Sequence, residues 1–203
     1  HAGLDSLTPR LREAVIHVCV NEVLHYIPHL SKQASNALLS MAPFLSISAR
    51  TDADLAAIVK GITHSDMENA RNACLKTVEE YVRLHSESLA NVLTVDSLLV
   101  HSIFYAQFDE SEQHVTIAEK LWSQIRPMLI HGDDSQTRLI ELCSKLRAYC
   151  YPLLGHESEY VKYTAAAALA GAIGLLSVES GEQTTDQAAA VTEAINTLFE
   201  SYL

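Results

Sequence analysis

The sequence is poor in the residues that build turns. It contains 7 glycines and 5 prolines among 203 residues, whereas an all-β fold needs turn residues after almost every short strand. Leucine and alanine fill long stretches instead, and hydrophobic residues make up 48% of the chain. That content is ample for a packed core and excludes general disorder. The composition therefore favours an all-α fold.

Basic residues are also scarce. The chain has 14 Lys and Arg against 25 Asp and Glu, which gives a net charge of −11. No three basic residues are consecutive, and a protein that holds nucleic acid needs clustered lysine and arginine to neutralise phosphates. We therefore expect that this segment does not bind nucleic acid directly.

The cysteines are few and widely spaced: Cys19, Cys74, Cys143 and Cys150. They form no C-x-x-C motif, and the sequence has no Asn-x-Ser/Thr glycosylation site. Both features favour free thiols in a reducing compartment. No apolar run reaches the roughly 18 residues of a membrane span, and no signal peptide opens the chain. The sequence predicts a cytoplasmic protein without a membrane partner, and its start at His1 indicates a piece of a longer protein.

Motifs for catalysis and cofactor binding are missing. The sequence contains no G-x-x-x-x-G-K-[ST], no G-x-G-x-x-G and no G-x-S-x-G. His25 and His29 have the spacing of two metal ligands on one helical face, but Pro28 lies between them and no H-E-x-x-H glutamate accompanies them. We therefore predict a non-enzymatic protein with no catalytic residue, no cofactor, no metal site and no small-molecule substrate.

Three further histidines each begin an acidic turn between helices. His64 opens HSD, His131 opens HGDD and His156 opens HESE. Successive turns of stacked helices are expected to lie about 10 Å apart, too far to share a zinc ion. The pair Asp133 and Asp134 is predicted to close a turn and cap the helix that follows.

A small residue followed four positions later by a large apolar one recurs along the chain. The small positions are separated by 40, 44 and 47 residues. Such periods, with two helices in each unit, are typical of HEAT or armadillo repeats. We expect each small residue to lie where two helices cross, because a short side chain lets their backbones approach. The four copies are Ala34-Leu38, Cys74-Val78, Ala118-Trp122 and Ala165-Leu169.

The repeat predicts an α-solenoid of about four helix pairs. The predicted architecture is one HEAT-repeat segment over 1–203 with an unpaired terminal helix at 184–203. The repeats are expected at roughly 8–42, 52–86, 94–126 and 135–174.

In many HEAT repeats an acidic residue in the turn pairs with a basic residue that begins the second helix. Asp66 with Arg71 and Glu157 with Lys162 fit this pattern. The third unit offers Asp109 but has Val115 where the basic residue is expected, so the predicted ladder of ion pairs is interrupted.

The stretch FYAQFDESEQHVTIAEKLW, residues 104–122, is similar to a specific family. It resembles the large HEAT-repeat translational activator of the general amino-acid control pathway, the activator of the initiation-factor-two kinase. The resemblance continues through HESEYVKYTAAAALAGAI and INTLFESY, so that it covers 104–203, while the first hundred residues fit only as generic HEAT repeats. The matching positions are Phe104, Phe108, Asp109, Ala118, Lys120, Leu121 and Trp122.

The resemblance implies a cytoplasmic, ribosome-associated scaffold that promotes activation of a stress-response kinase. The segment would lie upstream of that family's elongation-factor-three-like region. The implied partners are proteins: ribosomal proteins, an ABC-type ATPase and the kinase, the last two through other regions of the parent chain. Two alternatives stay open, namely a regulatory region of a giant enzyme and a segment of a nuclear transport receptor.

Overall fold

A computed structural model describes residues 8–45 and 53–179 of the chain. These residues form helices joined by short connections and contain no strand. The prediction of an all-α fold is confirmed for this part of the chain.

The described residues contain eight helices, which we number in chain order. The first, α1, starts as an α-helix at Pro9–His17, continues through a π-helical turn at Val18–Val23 and ends with Leu24–Tyr26. The others are α2 (Ser31–Met41), α3 (Ala53–Thr63), α4 (Glu68–Val92), α5 (Leu98–Ala106), α6 (Glu112–Leu129), α7 (Ser135–Cys150) and α8 (Glu159–Glu179). Short 3₁₀ turns follow α1, α2 and α7, at Pro28–Leu30, Ala42–Phe44 and Tyr151–Gly155.

Local chemistry explains where the first helix begins. Thr8 has an extended backbone, and its Oγ1 accepts a hydrogen bond from the amide of Leu11 at 3.4 Å. Pro9 occupies the first helical position, where its missing amide hydrogen is not needed. The π-helical turn in the middle of α1 was not predicted, because the apolar spacing there is also compatible with a regular α-helix.

The helices pack as consecutive pairs: α1 with α2, α3 with α4, α5 with α6, and α7 with α8. The first helices of the pairs also pack side by side in chain order, from α1 through α3 and α5 to α7. The second helices α2, α4 and α6 do the same, and α8 packs on both α7 and α5. The described helices thus form two layers, one of first helices and one of second helices.

The four small positions of the sequence repeat are all buried. Ala34 is 4% exposed, and Cys74, Ala118 and Ala165 are each 0% exposed. At Cys74 the close approach of two helices is direct, because a Cβ added to Gly61 of α3 would lie 2.5 Å from the Cys74 sulfur. The predicted burial of these positions is confirmed.

The alanine-rich helix α8 also carries a close contact. Gly171 faces the ring of Phe108, which follows α5, and a Cβ added at Gly171 would lie 2.7 Å from Phe108 Cε1. Ala165, Ala168 and Ala172 of α8 are each 0% exposed. The small side chains of α8 therefore let this helix approach both α7 and the end of α5.

The predicted terminal helix 184–203 lies outside the described residues. The predicted repeat boundaries stay predictions, although a helix pair lies within or close to each of them. Among the helices that the structure describes, none combines the length and the apolar character needed to cross a bilayer.

Candidate functional site

A buried ion pair joins successive helix pairs. Arg71 lies in the first turn of α4, and Asp109 lies in the connection between α5 and α6; their side chains are 2% and 4% exposed. Arg71 Nε donates to Asp109 Oδ2 at 2.9 Å. The Tyr160 hydroxyl of α8 donates to the same oxygen at 2.6 Å, and His114 Nδ1 lies 3.1 Å from it. We call Arg71, Asp109, His114 and Tyr160 the Asp109 cluster.

Arg71 is held on every side. Its Nη1 donates to the backbone carbonyl of Asp66 at 2.9 Å and to that of Ser65 at 3.3 Å. Its guanidinium carbon lies 3.8 Å from the centroid of the Tyr160 ring, which is the geometry of a cation–π interaction. The cluster therefore fixes α4 against α8 as well as against the start of α6.

This arrangement corrects the predicted ladder. Arg71 was expected to pair with the carboxylate of Asp66 in its own unit, but it contacts Asp66 only through the backbone carbonyl and pairs with Asp109 of the next unit. Lys162 was expected to pair with Glu157, and its Nζ instead donates to Glu159 at 2.7 Å. The sequence spacing alone did not distinguish an acid in the same unit from one in the neighbouring unit.

The electrostatics of the Asp109 cluster favour the charged carboxylate. Burial alone raises the pKa of Asp109, but the close contact with His114 and the hydrogen bonds from Arg71, Tyr160 and the amide of Ser111 outweigh it and hold the pKa well below its usual range. Burial raises the pKa of Tyr160, and the neighbouring carboxylate raises it further. Asp109 is thus an acceptor that protein donors already surround, which is the character of a structural ion pair rather than of a catalytic acid.

A groove runs across the layer of second helices. It has a volume of about 710 Å³ and is lined by side chains of α2, α4 and α6. Leu39 and the partly buried Met128 contribute apolar surface to it, and the buried Val82 lies beneath. Leu39 is 42% exposed, so much of its apolar side chain is open to solvent. Because three second helices contribute to the lining, the groove depends on how α2, α4 and α6 pack against one another.

Charged side chains surround this apolar surface. Glu79 accepts a hydrogen bond from Lys120 Nζ at 2.8 Å, which links α4 to α6. Glu80 accepts from Arg83 Nε at 2.7 Å and from Arg83 Nη2 at 2.6 Å within α4. No binding role was predicted for these groove residues, because each appears in the sequence as an ordinary exposed helical position; Lys120 was named only as a position that matches the family.

The structure brings two of the turn histidines together. The rings of His64 and His156 lie 5.6 Å apart between centroids, so the expected separation of about 10 Å is wrong for this pair. Burial lowers the pKa of His64, and the nearby positive charges of His156 and Lys60 lower it further. His64 Nδ1 lies 2.8 Å from Thr63 Oγ1 and His156 Nδ1 accepts from the amide of Ser158 at 3.1 Å, so both rings already have local partners.

The remaining candidate ligands lie apart. His25 Nε2 is 3.0 Å from Ser65 Oγ, and His29 is exposed. Gly132, with φ of 78°, makes the turn before α7, in which Asp134 takes the N-cap position without a side-chain capping bond. Over residues 8–45 and 53–179, no group of three or more His, Cys, Asp or Glu side chains is arranged to hold a metal ion.

No protein-family model matches the chain, and neither a curated protein nor a solved structure is similar to it. The groove and the Asp109 cluster are therefore interpreted from their own geometry. The groove is a surface open to solvent on α2, α4 and α6, and the cluster is a buried contact between α4, α8 and the start of α6.

Proposed function

We propose that this chain is a stretch of a HEAT-type α-solenoid that binds other proteins and catalyses no reaction. The observation that carries the proposal is the groove across α2, α4 and α6, three successive second helices. Extended layers of paired helices provide binding surfaces of this kind in repeat proteins. The consecutive pairing of α1 to α8 and the buried small residues with spacings of 40, 44 and 47 support the repeat interpretation.

The resemblance of residues 104–203 gives the proposal its biological setting. We propose a cytoplasmic, ribosome-associated translational regulator that promotes activation of a stress-response kinase, of which this segment is one scaffold stretch. The net charge of −11 favours ribosome contact through proteins, because ribosomal RNA would repel an acidic surface. Ribosomal proteins and an ABC-type ATPase are the partner classes that the resemblance implies.

Small-angle scattering tests the solenoid. A compact domain of 203 residues has a radius of gyration of about 17 Å by the usual scaling. A solenoid of paired helices is elongated, so we expect a larger radius and an asymmetric distance distribution. A radius at the compact value would exclude the solenoid.

Site-directed photo-crosslinking tests the protein-binding function. A photoreactive amino acid replaces Gln124, an exposed residue that lines the groove on α6, in the full-length parent protein in cells. The matched control replaces Gln136, an exposed glutamine on α7 outside the groove. We expect crosslinks to ribosomal proteins from position 124 and not from position 136.

Other outcomes identify the alternatives. Crosslinks from Gln124 to a catalytic domain of the same parent chain would favour a regulatory region of a giant enzyme. Crosslinks to nuclear-pore or cargo proteins would favour a transport receptor. Equal yields from Gln124 and Gln136 would contradict the groove as the binding surface.

A further inference from the structure

The groove has a charge balance opposite to that of the chain. Three basic residues line it, Lys76, Arg83 and Lys120, together with two acidic ones, Glu79 and Glu80. The whole chain has 25 acidic residues against 14 basic ones. A partner that enters the groove therefore meets a net positive surface on a protein that otherwise repels acidic segments.

One of these charges has no counterpart within the described part of the chain. Glu79 is paired with Lys120, and Glu80 with Arg83. Lys76 is exposed, and no hydrogen bond or ion pair to another described residue engages its ammonium group. Lys76 is thus the charge most readily available to a ligand in the groove.

The shape of the groove favours a helix as the ligand. It is lined by neighbouring helices and has apolar surface from Leu39 and Met128. An amphipathic helix places its apolar face in such a groove and leaves its polar face at the charged rim. Binding by strand addition requires a free sheet edge, and residues 8–45 and 53–179 contain no sheet.

We propose that the groove binds an amphipathic helix of a partner protein whose polar face is acidic. A carboxylate of that helix pairs with Lys76, and its apolar face packs on Leu39. This inference rests on the proposed function, because it requires the groove to be a protein-binding surface.

Fluorescence anisotropy with two synthetic peptides tests the inference on the intact chain. Both peptides are amphipathic helices of about five turns, about 18 residues, with leucine on one face. The polar face of one carries glutamate and that of its twin carries lysine. We expect the glutamate peptide to bind at least about tenfold more tightly than the lysine peptide. The basic residues at the rim of the groove attract the glutamates of the first peptide and repel the lysines of the second.

Two pairs of variants locate the binding. Lys76→Glu is expected to weaken binding of the glutamate peptide about three- to tenfold. Lys60→Glu makes the same charge change on an exposed residue of α3 and is expected to change the affinity less than about twofold. Leu39→Ala is expected to weaken binding of the glutamate peptide about fivefold. Leu84→Ala is the matched control, since Leu84 is 41% exposed on α4 but does not line the groove.

Each other outcome overturns the inference in a recognisable way. Equal or tighter binding of the lysine peptide would contradict the acidic partner while keeping the groove as a protein site. If neither peptide binds but Gln124 still crosslinks to ribosomal proteins, the inference of a helical ligand is wrong and the proposed function stands. An intramolecular crosslink from Gln124 to 180–203, or a mass that doubles with concentration in light scattering, would assign the groove to this chain itself.

Discussion

Replacement of Asp109 by asparagine removes the negative charge of the Asp109 cluster and keeps the shape of the side chain. Asparagine still offers one oxygen acceptor, but its amide group faces donors from Arg71, Tyr160 and His114. The guanidinium of Arg71 then stays buried, 2% exposed, and keeps only a longer contact with a carboxylate, that of Glu110 at 3.7 Å. The variant therefore tests whether this ion pair holds successive helix pairs together.

The magnitude follows from the burial of the pair. Removal of one partner of a buried ion pair costs about 3–5 kcal/mol, because the other charge is left in a poorly solvated site. The carbonyl groups of Ser65 and Asp66 and the ring of Tyr160 continue to stabilise Arg71, so we expect the lower end of that range, about 3 kcal/mol. Tyr160→Phe removes a single hydrogen bond to the same carboxylate and should cost about 1.5–3 kcal/mol.

Urea unfolding followed by circular dichroism measures these differences. The matched control is Asp66→Asn, because Asp66 is exposed and its carboxylate was the predicted but incorrect partner of Arg71. We expect Asp66→Asn to change the free energy of unfolding by less than about 0.5 kcal/mol. A cost for Asp109→Asn below about 1 kcal/mol, or an equal cost for Asp66→Asn, would refute the reasoning.

The difference between wild type and Asp109→Asn should also depend on pH. The pKa of Asp109 is lower in the folded chain than the value of about 3.9 for an unfolded aspartate. Its contribution to stability is therefore complete above about pH 5, begins to fall below the unfolded pKa of about 3.9, and disappears only as the pH passes through the much lower pKa of the folded chain. Between about pH 7 and pH 3 the difference in the free energy of unfolding should narrow by about 1 kcal/mol without vanishing, and a constant difference would contradict a depressed pKa.

Three further predictions concern packing and thiols. Gly171→Ala should destabilise the fold by about 1–3 kcal/mol, because the added Cβ collides with the Phe108 ring. Gly174→Ala should stabilise it by about 0.5–1 kcal/mol, because no atom lies within 4 Å of the added Cβ. Thermal unfolding compares the two variants. In urea unfolding, Ala118→Leu should cost about 1–3 kcal/mol and Trp122→Ala about 3–5 kcal/mol, and an unchanged midpoint for Ala118→Leu would contradict close helix packing. Thiol titration should count four free cysteines in denatured, unreduced protein. In native protein the thiols should react slowly, because all four are buried and burial raises the pKa of Cys74 and Cys150 to about 12.

The sequence predicted the helices and the buried small residues of the repeat well, and the reason is physical. Helix formation depends on apolar spacing within one segment, and that spacing is explicit at Ala118 and Trp122, both of which are buried. The small residues marked close contacts because a short side chain has few other roles in a helix core. Cys74, which faces Gly61, shows that a cysteine can take the place of an alanine there.

The contacts between units were harder to predict. Arg71 and Asp109 are 38 positions apart, and Tyr160 is a further 51 positions from Asp109. Which acid an arginine reaches depends on how neighbouring units are rotated against each other, and local spacing carries no information on that rotation. The approach of the His64 and His156 rings was missed for the same reason.

The Asp109 cluster and the groove are linked by the helices that they share. Arg71 and Lys76 lie five residues apart on α4, and His114 and Lys120 six apart on α6, so the same two helices carry the buried ion pair and the open groove. In a layer of paired helices each unit contacts mainly its neighbours, so the relative angle of α4 and α6 depends on the packing between these two helices. A buried, directional ion pair fixes that angle more strictly than apolar packing alone, since its hydrogen bonds are lost after a small rotation. We infer that the cluster helps to set the spacing of α4 and α6, so that a buried residue outside the groove influences the shape of the groove.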